Sequence, residues 1–389
     1  MRHLNLFYTA LNNLIRYPLR SVVIVICLVA LLLPFLSGTA ILEGVKAESL
    51  ISVHEGADIY LTMDMYGRNG VIPLEMVEPV KNIEGVIKVI PRAISRIYVG
   101  NKLAVLLGIP VDNIPETVTF IKGRPPIPGE VVIGKSLAED LRVDVGEGLS
   151  LGVRIIGIID GIPYVVRREF KISGIFDARA GIWTSNLLLM NLEDVISLYE
   201  MEGFVTDMAL YVKQGYFRKV SEELQRMNPY FRIQTKELVK TYVDRGFNTK
   251  GGIFLLLYTV AFSVAIPAIA VSSGLGLSER RKEIGILKAI GWRTVDVIEM
   301  VFLESIVISL MSVSITFILS LFWLKILNGV FIAQIFIPGA GIFPSFHVPS
   351  LFFPLPVIMT FLLSLIIMLV GSISTTWKTS IVPPMEAMR

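Results

Sequence analysis

The chain is poor in the residues that build most catalytic and metal sites. It has one cysteine, Cys27, and three histidines among 389 residues. A single cysteine excludes an intrachain disulfide and a cysteine-based metal cluster, and three histidines leave little for a histidine site. Charge is also scarce: Asp, Glu, Lys and Arg make up 18% of the chain, against roughly 25% in soluble domains. A net charge of +3 carries no bulk field for nucleic acid. No H-E-x-x-H and no G-x-S-x-G segment is present. The adjacent Glu139 and Asp140 read as a solvated helix face, and His54 as a surface residue of a stalk. These absences predict no catalytic, metal or cofactor residues on this chain.

What the chain has instead is apolar residue, 53% of the total, gathered into long runs. Ser21–Leu42, Gly251–Ser278 and Ser305–Leu324 carry no charge. After Lys325 the chain stays uncharged to Trp377, but Gly339, Gly341, Pro344 and Pro349 break that stretch, leaving a spanning part near 354–377. A helix needs about 20 apolar residues to cross the hydrocarbon core, so four spans are predicted. The first run exceeds the 7–15-residue core of a signal peptide and reads as a retained anchor.

Lys and Arg in the short loops set orientation. Arg2, Arg16 and Arg20 precede the first span without an acid, and Arg280, Arg281, Lys282, Lys288 and Arg293 follow the second. Only Lys325 lies between the third and fourth. This places both termini in the cytoplasm of a multi-pass plasma (inner) membrane protein, with 43–250 outside. The expected organisation is a cytoplasmic amphipathic helix (1–20), span 1 (21–42), an extracytoplasmic domain (43–250) and span 2 (251–278). A cytoplasmic loop (279–304), span 3 (305–324), an outer loop (325–353), span 4 (354–377) and a cytoplasmic tail (378–389) complete it.

The outer segment has the composition of a folded domain, and its β-branched and aromatic runs read as strands at 58–63, 86–94, 131–133, 155–159, 164–175, 187–190, 208–212 and 231–234. Helices are predicted at 73–82, 135–141, 192–199 and 217–227. Strand–helix–strand units fall near 58–95 and 208–234, and 101–190 is richer in strands, Gly and Pro. The predicted fold is an α-helical membrane protein with four transmembrane helices plus a large α+β extracytoplasmic domain on helical stalks. In that domain an α/β subdomain is split by a β-rich insert.

Two segments invite functional readings. Gly129-Glu-Val-Val-Ile-Gly134-Lys135-Ser136 fits the phosphate-loop pattern G-x-x-x-x-G-K-[ST]. A true phosphate loop needs a strand before its first glycine, whereas Pro125, Pro126 and Pro128 stand there and Glu130–Ile133 look like the strand itself. The pattern is read as a strand turning at Gly134 into a helix. The second segment is 278–292, SERRKEIGILKAIGW. Five charges, Glu279, Arg280, Arg281, Lys282 and Glu283, leave the membrane. Ile284, Leu287 and Ala289–Ile290 then form an apolar stripe on a short helix that Gly291 can end. Such a helix suits a groove on a cytoplasmic partner; the plainer reading is a charged loop that only fixes topology. At the start of the chain, Leu4, Phe7, Tyr8, Leu11, Leu14 and Ile15 have helical spacing opposite Asn5, Asn12, Asn13 and Arg16, an amphipathic helix for the membrane interface.

These segments resemble the FtsX/MacB-type (type VII) permease family of ABC transporters. Glu279-Arg280-Arg281-Lys282-Glu283-Ile284-Gly285-Ile286-Leu287-Lys288-Ala289-Ile290-Gly291 is similar to its E-R-x-x-E-I-G-I-L-+-A-x-G stretch, and Glu304 to its acid early in the third span. Ser278 departs from the pattern by sitting directly before the first Glu. Ala10, Asn13, Leu14, Arg16 and Arg20 are similar to the family's amphipathic start, and Pro384-Met385-Glu386-Ala387-Met388-Arg389 to its tail. Gly123-Arg124, Val131–Ala138, Val145-Gly146 and the strand 170–175 follow the order of a MacB-like periplasmic core domain, phosphate-loop lookalike included.

The resemblance implies a dimer with a second permease copy or paralogue in the lipid membrane. It implies separate cytoplasmic ABC ATPase subunits that bind ATP and Mg. Contact to them would come from Glu279, Arg280, Arg281, Lys282, Glu283, Ile284, Gly285, Leu287, Lys288, Ala289 and Gly291. ATP-driven movement would pass through the spans to the outer domain, a mechanotransmission that exports or extracts a substrate. Non-transporting signalling or cell-wall-hydrolase regulation within the same family, and an ATPase-independent receptor, are the alternatives.

Overall fold

The computed structural model describes residues 2–100, 102–156, 163–178, 184–274, 284–337, 341–344 and 346–380. It divides into two compact units: 1–43 with 248–336 and 350–389, and 44–247 with 337–349.

The chain starts with α1 (Arg2–Arg16) and, after a break at Tyr17, α2 (Pro18–Glu55). Pro18 is tolerated because the first-turn N–H has no helical partner. Outer strands follow: β1 (Ile59–Met65), β2 (Arg68–Gly70) and β3 (Ile72–Pro73). Then come α3 (Val77–Lys81), β4 (Val86–Val99), β5 (Lys102–Ile109), β6 (Val118–Gly123) and β7 (Glu130–Gly134). They are followed by α4 (Lys135–Leu141), β8 (Gly148–Ile156), β9 (Pro163–Ala178) and β10 (Leu187–Asn191). The outer unit ends with α5 (Leu192–Leu198), β11 (Phe204–Val205), β12 (Asp207–Val212), α6 (Phe217–Met227) and β13 (Phe231–Thr235). The chain returns through α7 (Lys236–Gly274), a helix α8 described over 284–289, α9 (Thr294–Ile326), α10 (Ala333–Phe336) and α11 (Pro354–Ser380).

In the outer unit the hydrogen-bonded strand order is β13-β1-β12-β4-β5-β10-β7-β9-β6, with β2 on β1 and β8 on β4 and β9. The pairings are antiparallel except β5–β10 and β7–β9. Chain ends and insert are therefore not separate sheets. The long strand β4 joins them: Val86–Arg92 pair with β12, and Ala93–Val99 pair with β5. The expected strand stopped at Ile94, because Ser95 and Arg96 break the apolar run, yet both pair with β5. β5 and β6 were not predicted. Lys102–Ile109 is a Leu/Ala-rich run with little period-2 alternation, and tertiary pairing decides its state. Helices α3 to α6 bring Val80, Leu137, Val195 and Leu224 into one core with Ile59, Leu61, Leu106 and Leu188.

The two long helices that border this unit are tied at their polar ends. Lys46 bonds Asp244 at 3.1 Å. Lys236 pairs with Asp58 at 3.4 Å and donates to the His54 carbonyl at 3.0 Å. The predicted stalks thus exist as unbroken continuations of the spans, 41–55 within α2 and 236–245 within α7.

In the membrane unit, α2, α7, α9 and α11 are, among the described residues, the four helices long and apolar enough to cross a membrane. α9 starts at Thr294, inside the segment expected to be loop. Its inward face is a ladder of small hydroxyl residues, Ser305, Ser309, Ser312, Thr316 and Ser320, all buried. α11 answers with buried Thr360, Ser364 and Ser372, so the two helices pack closely, as small interface residues permit. Ser320 also meets Ser37 of α2 at 2.8 Å. Gly38 lets α2 approach α7: a Cβ there would lie 2.3 Å from the Phe254 ring. The outward face of α7, with Ile253, Leu256, Val260 and Val264, is largely exposed.

Candidate functional site

The end of the membrane unit that carries α1 and α8 gathers the segments singled out in the sequence. α8 ends in a Schellman arrangement. Gly291 has φ +98°; its N–H donates to the Lys288 carbonyl at 3.0 Å, and the Trp292 N–H to the Leu287 carbonyl at 3.0 Å. Gly291 thus ends the helix as the sequence predicted, because a left-handed residue carries no Cβ penalty only as glycine. The chain then turns directly into α9, whose start is held by the Arg293 N–H donating to the Asp296 carboxylate at 3.0 Å.

The two faces of α8 differ. Ile284 and Gly285 are buried within the chain, Leu287 and Lys288 are half-buried, and Ile286, Ala289, Ile290 and Gly291 are exposed. The outward apolar contact is therefore Ile286 and Ile290, one turn apart, with the small Ala289 beside them. Of the predicted partner-contact residues, Glu279, Arg280, Arg281, Lys282 and Glu283 lie outside the described residues.

α1 packs along α9 through the fully buried Ala10. A polar contact across the two helices helps to fix its position. Asn13 Nδ2 donates to Glu304 Oε1 at 3.0 Å and lies 3.5 Å from Met300 Sδ. Glu304 is 6% exposed. A buried carboxylate is costly unless hydrogen-bonded, so this contact selects one register of α1 on α9. Both residues were visible as motif positions, but nothing in the sequence paired them across 291 positions. A lone acid next to an apolar run was the available signal.

In the outer unit, the phosphate-loop lookalike is a strand and a helix, as read from the sequence. Glu130–Gly134 is β7, with Val131, Val132 and Ile133 fully buried. The Gly129 N–H donates to Asp194 at 2.8 Å, and Ser136 Oγ meets Thr184 Oγ1 at 3.0 Å. A Cβ on Gly134 would stand 2.4 Å from the Thr184 carbonyl oxygen, so this glycine serves close packing. An extended, buried strand cannot fold its N–H groups around a phosphate.

Sequence inspection missed a second polar contact, the Arg92–Asp207 pair between β4 and β12. Its two bonds measure 2.9 and 2.6 Å, and the guanidinium lies 4.7 Å from the Tyr60 ring centroid. Burial opposes the Arg92 charge, but the attraction of Asp207 outweighs it and the proton is held more tightly than usual. The pair lies where β4 passes from one set of partners to the other.

Comparison with known proteins finds likenesses over segments of the chain. Residues 254–384 match the FtsX-like permease C-terminal family. An uncharacterized ABC transporter permease of Methanocaldococcus jannaschii is 29% identical over 148 residues. That match spans 36% of this chain and 36% of the relative's length. Among solved structures, the periplasmic region of MacB from Actinobacillus actinomycetemcomitans aligns with a TM-score of 0.37 and 14% identity, covering 50% of this chain and 97% of that one. The extracellular domain of the noncanonic ABC-type transporter YknZ from Gram-positive bacteria aligns with a TM-score of 0.32 and 13% identity, covering 45% and 98%. Over residues 254–384 the chain is therefore similar to the FtsX-like permease C-terminal domain, and over 148 residues it is similar to an ABC transporter permease.

Proposed function

We propose that the chain is the membrane subunit of an ABC transporter whose separate ATPase docks on α8. On this reading the α1 and α8 end of the membrane unit faces the cytoplasm, and ATP and Mg bind only on the partner. The observation that carries the reading is the C-terminal construction of α8: a helix end firmly capped at Gly291 and leading directly into α9, with Ile286, Ala289 and Ile290 exposed. Exposed apolar side chains on a helix outside the spans are what a groove on a partner recognises. Force applied to α8 enters α9 through the Gly291–Asp296 turn, and α1 follows through Asn13 and Glu304. α2 and α7 continue unbroken into the stalks, which fits mechanotransmission to the outer unit as the working step. The exposed face of α7 is the surface we assign to a second permease copy.

Ala289→Trp and Ile290→Glu test this. Each should weaken capture of the cognate ATPase by about thirtyfold or more, the scale of a buried interface anchor, while the outer unit stays folded. Wild-type capture and turnover in both variants would overturn the docking assignment. Gly285→Trp is a poorer test, because Gly285 is buried within the chain and a bulky side chain would disturb the membrane unit itself.

A further inference from the structure

The seam between α9 and α11 is lined by buried hydroxyls, and at its ends these find partners within the protein. Ser305 donates to the Val301 carbonyl at 2.8 Å and lies 3.4 Å from the Ser372 hydroxyl, which donates to the Met368 carbonyl at 2.6 Å. Thr360 donates to the Pro356 carbonyl at 2.7 Å, and Ser320 meets Ser37 at 2.8 Å. The middle of the seam differs. Ser309, Ser312 and Thr316 of α9 and Ser364 of α11 are fully buried, and none of their hydroxyls has a hydrogen-bond partner among the described residues. Two contacts fix the antiparallel register of the helices: Ser305 with Ser372, and the Phe317 ring with the Phe352 ring at 5.3 Å. About two turns along each helix from the Ser305–Ser372 contact, Ser312 and Ser364 therefore stand at one level on facing helices. They do not bond each other. Ser309 and Thr316 stand about one turn to either side on α9.

We infer that the middle of this seam is a binding site for internal water, with Ser312 and Ser364 as its two walls and Ser309 and Thr316 as further partners. Hydroxyls left dry at membrane depth are costly, and a gap that offers several polar partners is where buried water resides. An ion fits less well. No charged side chain occurs between Ser305 and Ser320 or between Thr360 and Ser372, so a cation would meet hydroxyl dipoles with no counter-charge. Water needs none. The competing outcome is a dry seam, in which each middle hydroxyl turns to the carbonyl one turn back, as Ser305 and Thr360 do. Water bridges can re-form after a small axial shift, so α9 can slide on α11 without stranding a hydroxyl. That consequence, unlike the site itself, rests on the proposed entry of force into α9 from α8.

The test is X-ray radiolysis of the purified full-length chain in nanodiscs, with methionine oxidation read by mass spectrometry. Radicals formed from a bound water attack the side chains beside it. Met368 is the reporter: it is 2% exposed, and its i, i+4 spacing puts it on the face of Ser364 and Ser372. The outward Met311 and Met359 are the lipid-facing references, and Met65 of the outer unit is the solvent-accessible one. Met368 should be oxidised severalfold faster than Met311 and Met359. Ser309→Ala/Ser312→Ala/Ser364→Ala should bring it down to their level, because an apolar cavity stays dry. Thermal unfolding in the same nanodiscs checks that this variant is folded, and the wild-type comparison decides even if it is not. No ATPase is present, so the result is independent of docking at α8. Wild-type Met368 oxidised no faster than the lipid-facing methionines means a dry seam and overturns the proposal. Fast Met368 oxidation that persists in the folded triple variant overturns it as well, because solvent would then arrive by another route.

Discussion

Asn13→Ala removes a side-chain donor that α1 offers to Glu304, and its consequence can be worked through. The bond is 3.0 Å long, joins a neutral donor to a carboxylate, and lies at a residue only 6% exposed. Hydrogen bonds to charged groups contribute about 1.5–3 kcal/mol net. Glu304 keeps further interactions, so the expected loss is near the lower value, about 1.5 kcal/mol. Every 1.4 kcal/mol is a factor of ten, so the fraction of molecules with α1 detached should rise about tenfold. Hydrogen exchange followed by mass spectrometry reads this directly. Amides of α1 should exchange about tenfold faster in Asn13→Ala, while those of α11 stay at the wild-type rate. Asn13→Asp should act more strongly, because it sets a second carboxylate against Glu304. Glu304→Gln keeps an acceptor oxygen for Asn13 and should act less. If Asn13→Ala leaves α1 exchange at the wild-type rate, the contact does not hold α1, and the proposed link from α1 into α9 loses its support.

Other perturbations address the outer unit. Asp207→Ala leaves the half-buried Arg92 guanidinium without its carboxylate, and loss of hydrogen bonds between charged groups costs about 1.5–3 kcal/mol; β4 and β12 should lose that much protection against exchange, and Arg92→Met/Asp207→Leu should recover most of it. A loss under about 1 kcal/mol would make the pair no better than a surface bridge. Gly134→Ala should destabilise β7 and α4, since its Cβ meets the Thr184 backbone, whereas Lys135→Ala, at an exposed side chain, should change neither thermal stability nor ATPase turnover of the complex. A nucleotide-binding defect in Lys135→Ala would reverse the strand-turn reading. Glu84 has a lowered pKa, caused first by its hydrogen bond from Lys219 and then by that residue's charge. A lowered acid stabilises the fold above its unfolded pKa of about 4.3 and loses that contribution as pH falls through the folded value. Protection of α6 should therefore drop at acid pH, and Lys219→Met should flatten the dependence; an identical acid response in that variant would refute the assignment.

How far the molecule could be read in advance depended on the range of the forces involved. The boundaries of α4 and α6 agree residue for residue with the sequence expectation, because amphipathic spacing and turn residues act over a few positions. Gly291 was legible for the same reason: only local backbone conformation decides a helix end. The four apolar helices follow from the length of uncharged runs, since transfer of a segment into hydrocarbon depends on its own side chains and little else.

Contacts between distant segments were not legible. β5 has no strong strand pattern, and its state comes from neighbours supplied by β4 and β10, whereas the β-branched and aromatic run Val118–Ile121 of β6 was a legible signal that inspection passed over. Whether Arg92 is a surface cation or the buried half of a pair depends on Asp207, 115 positions away. The faces of α8 were partly misjudged on paper: Ile284 looked like outward stripe and is buried, while Ile286 is outward. A helix such as α8 has apolar residues on more than one side, and only the packing of the rest of the membrane unit selects which side is covered. The sequence by itself determined which segments are long and apolar enough to span a membrane and where α4, α6 and α8 stop, since each is a property of a segment and its solvent. Tertiary structure alone decided which buried charges meet and which apolar faces stay open, because those depend on partners far along the chain.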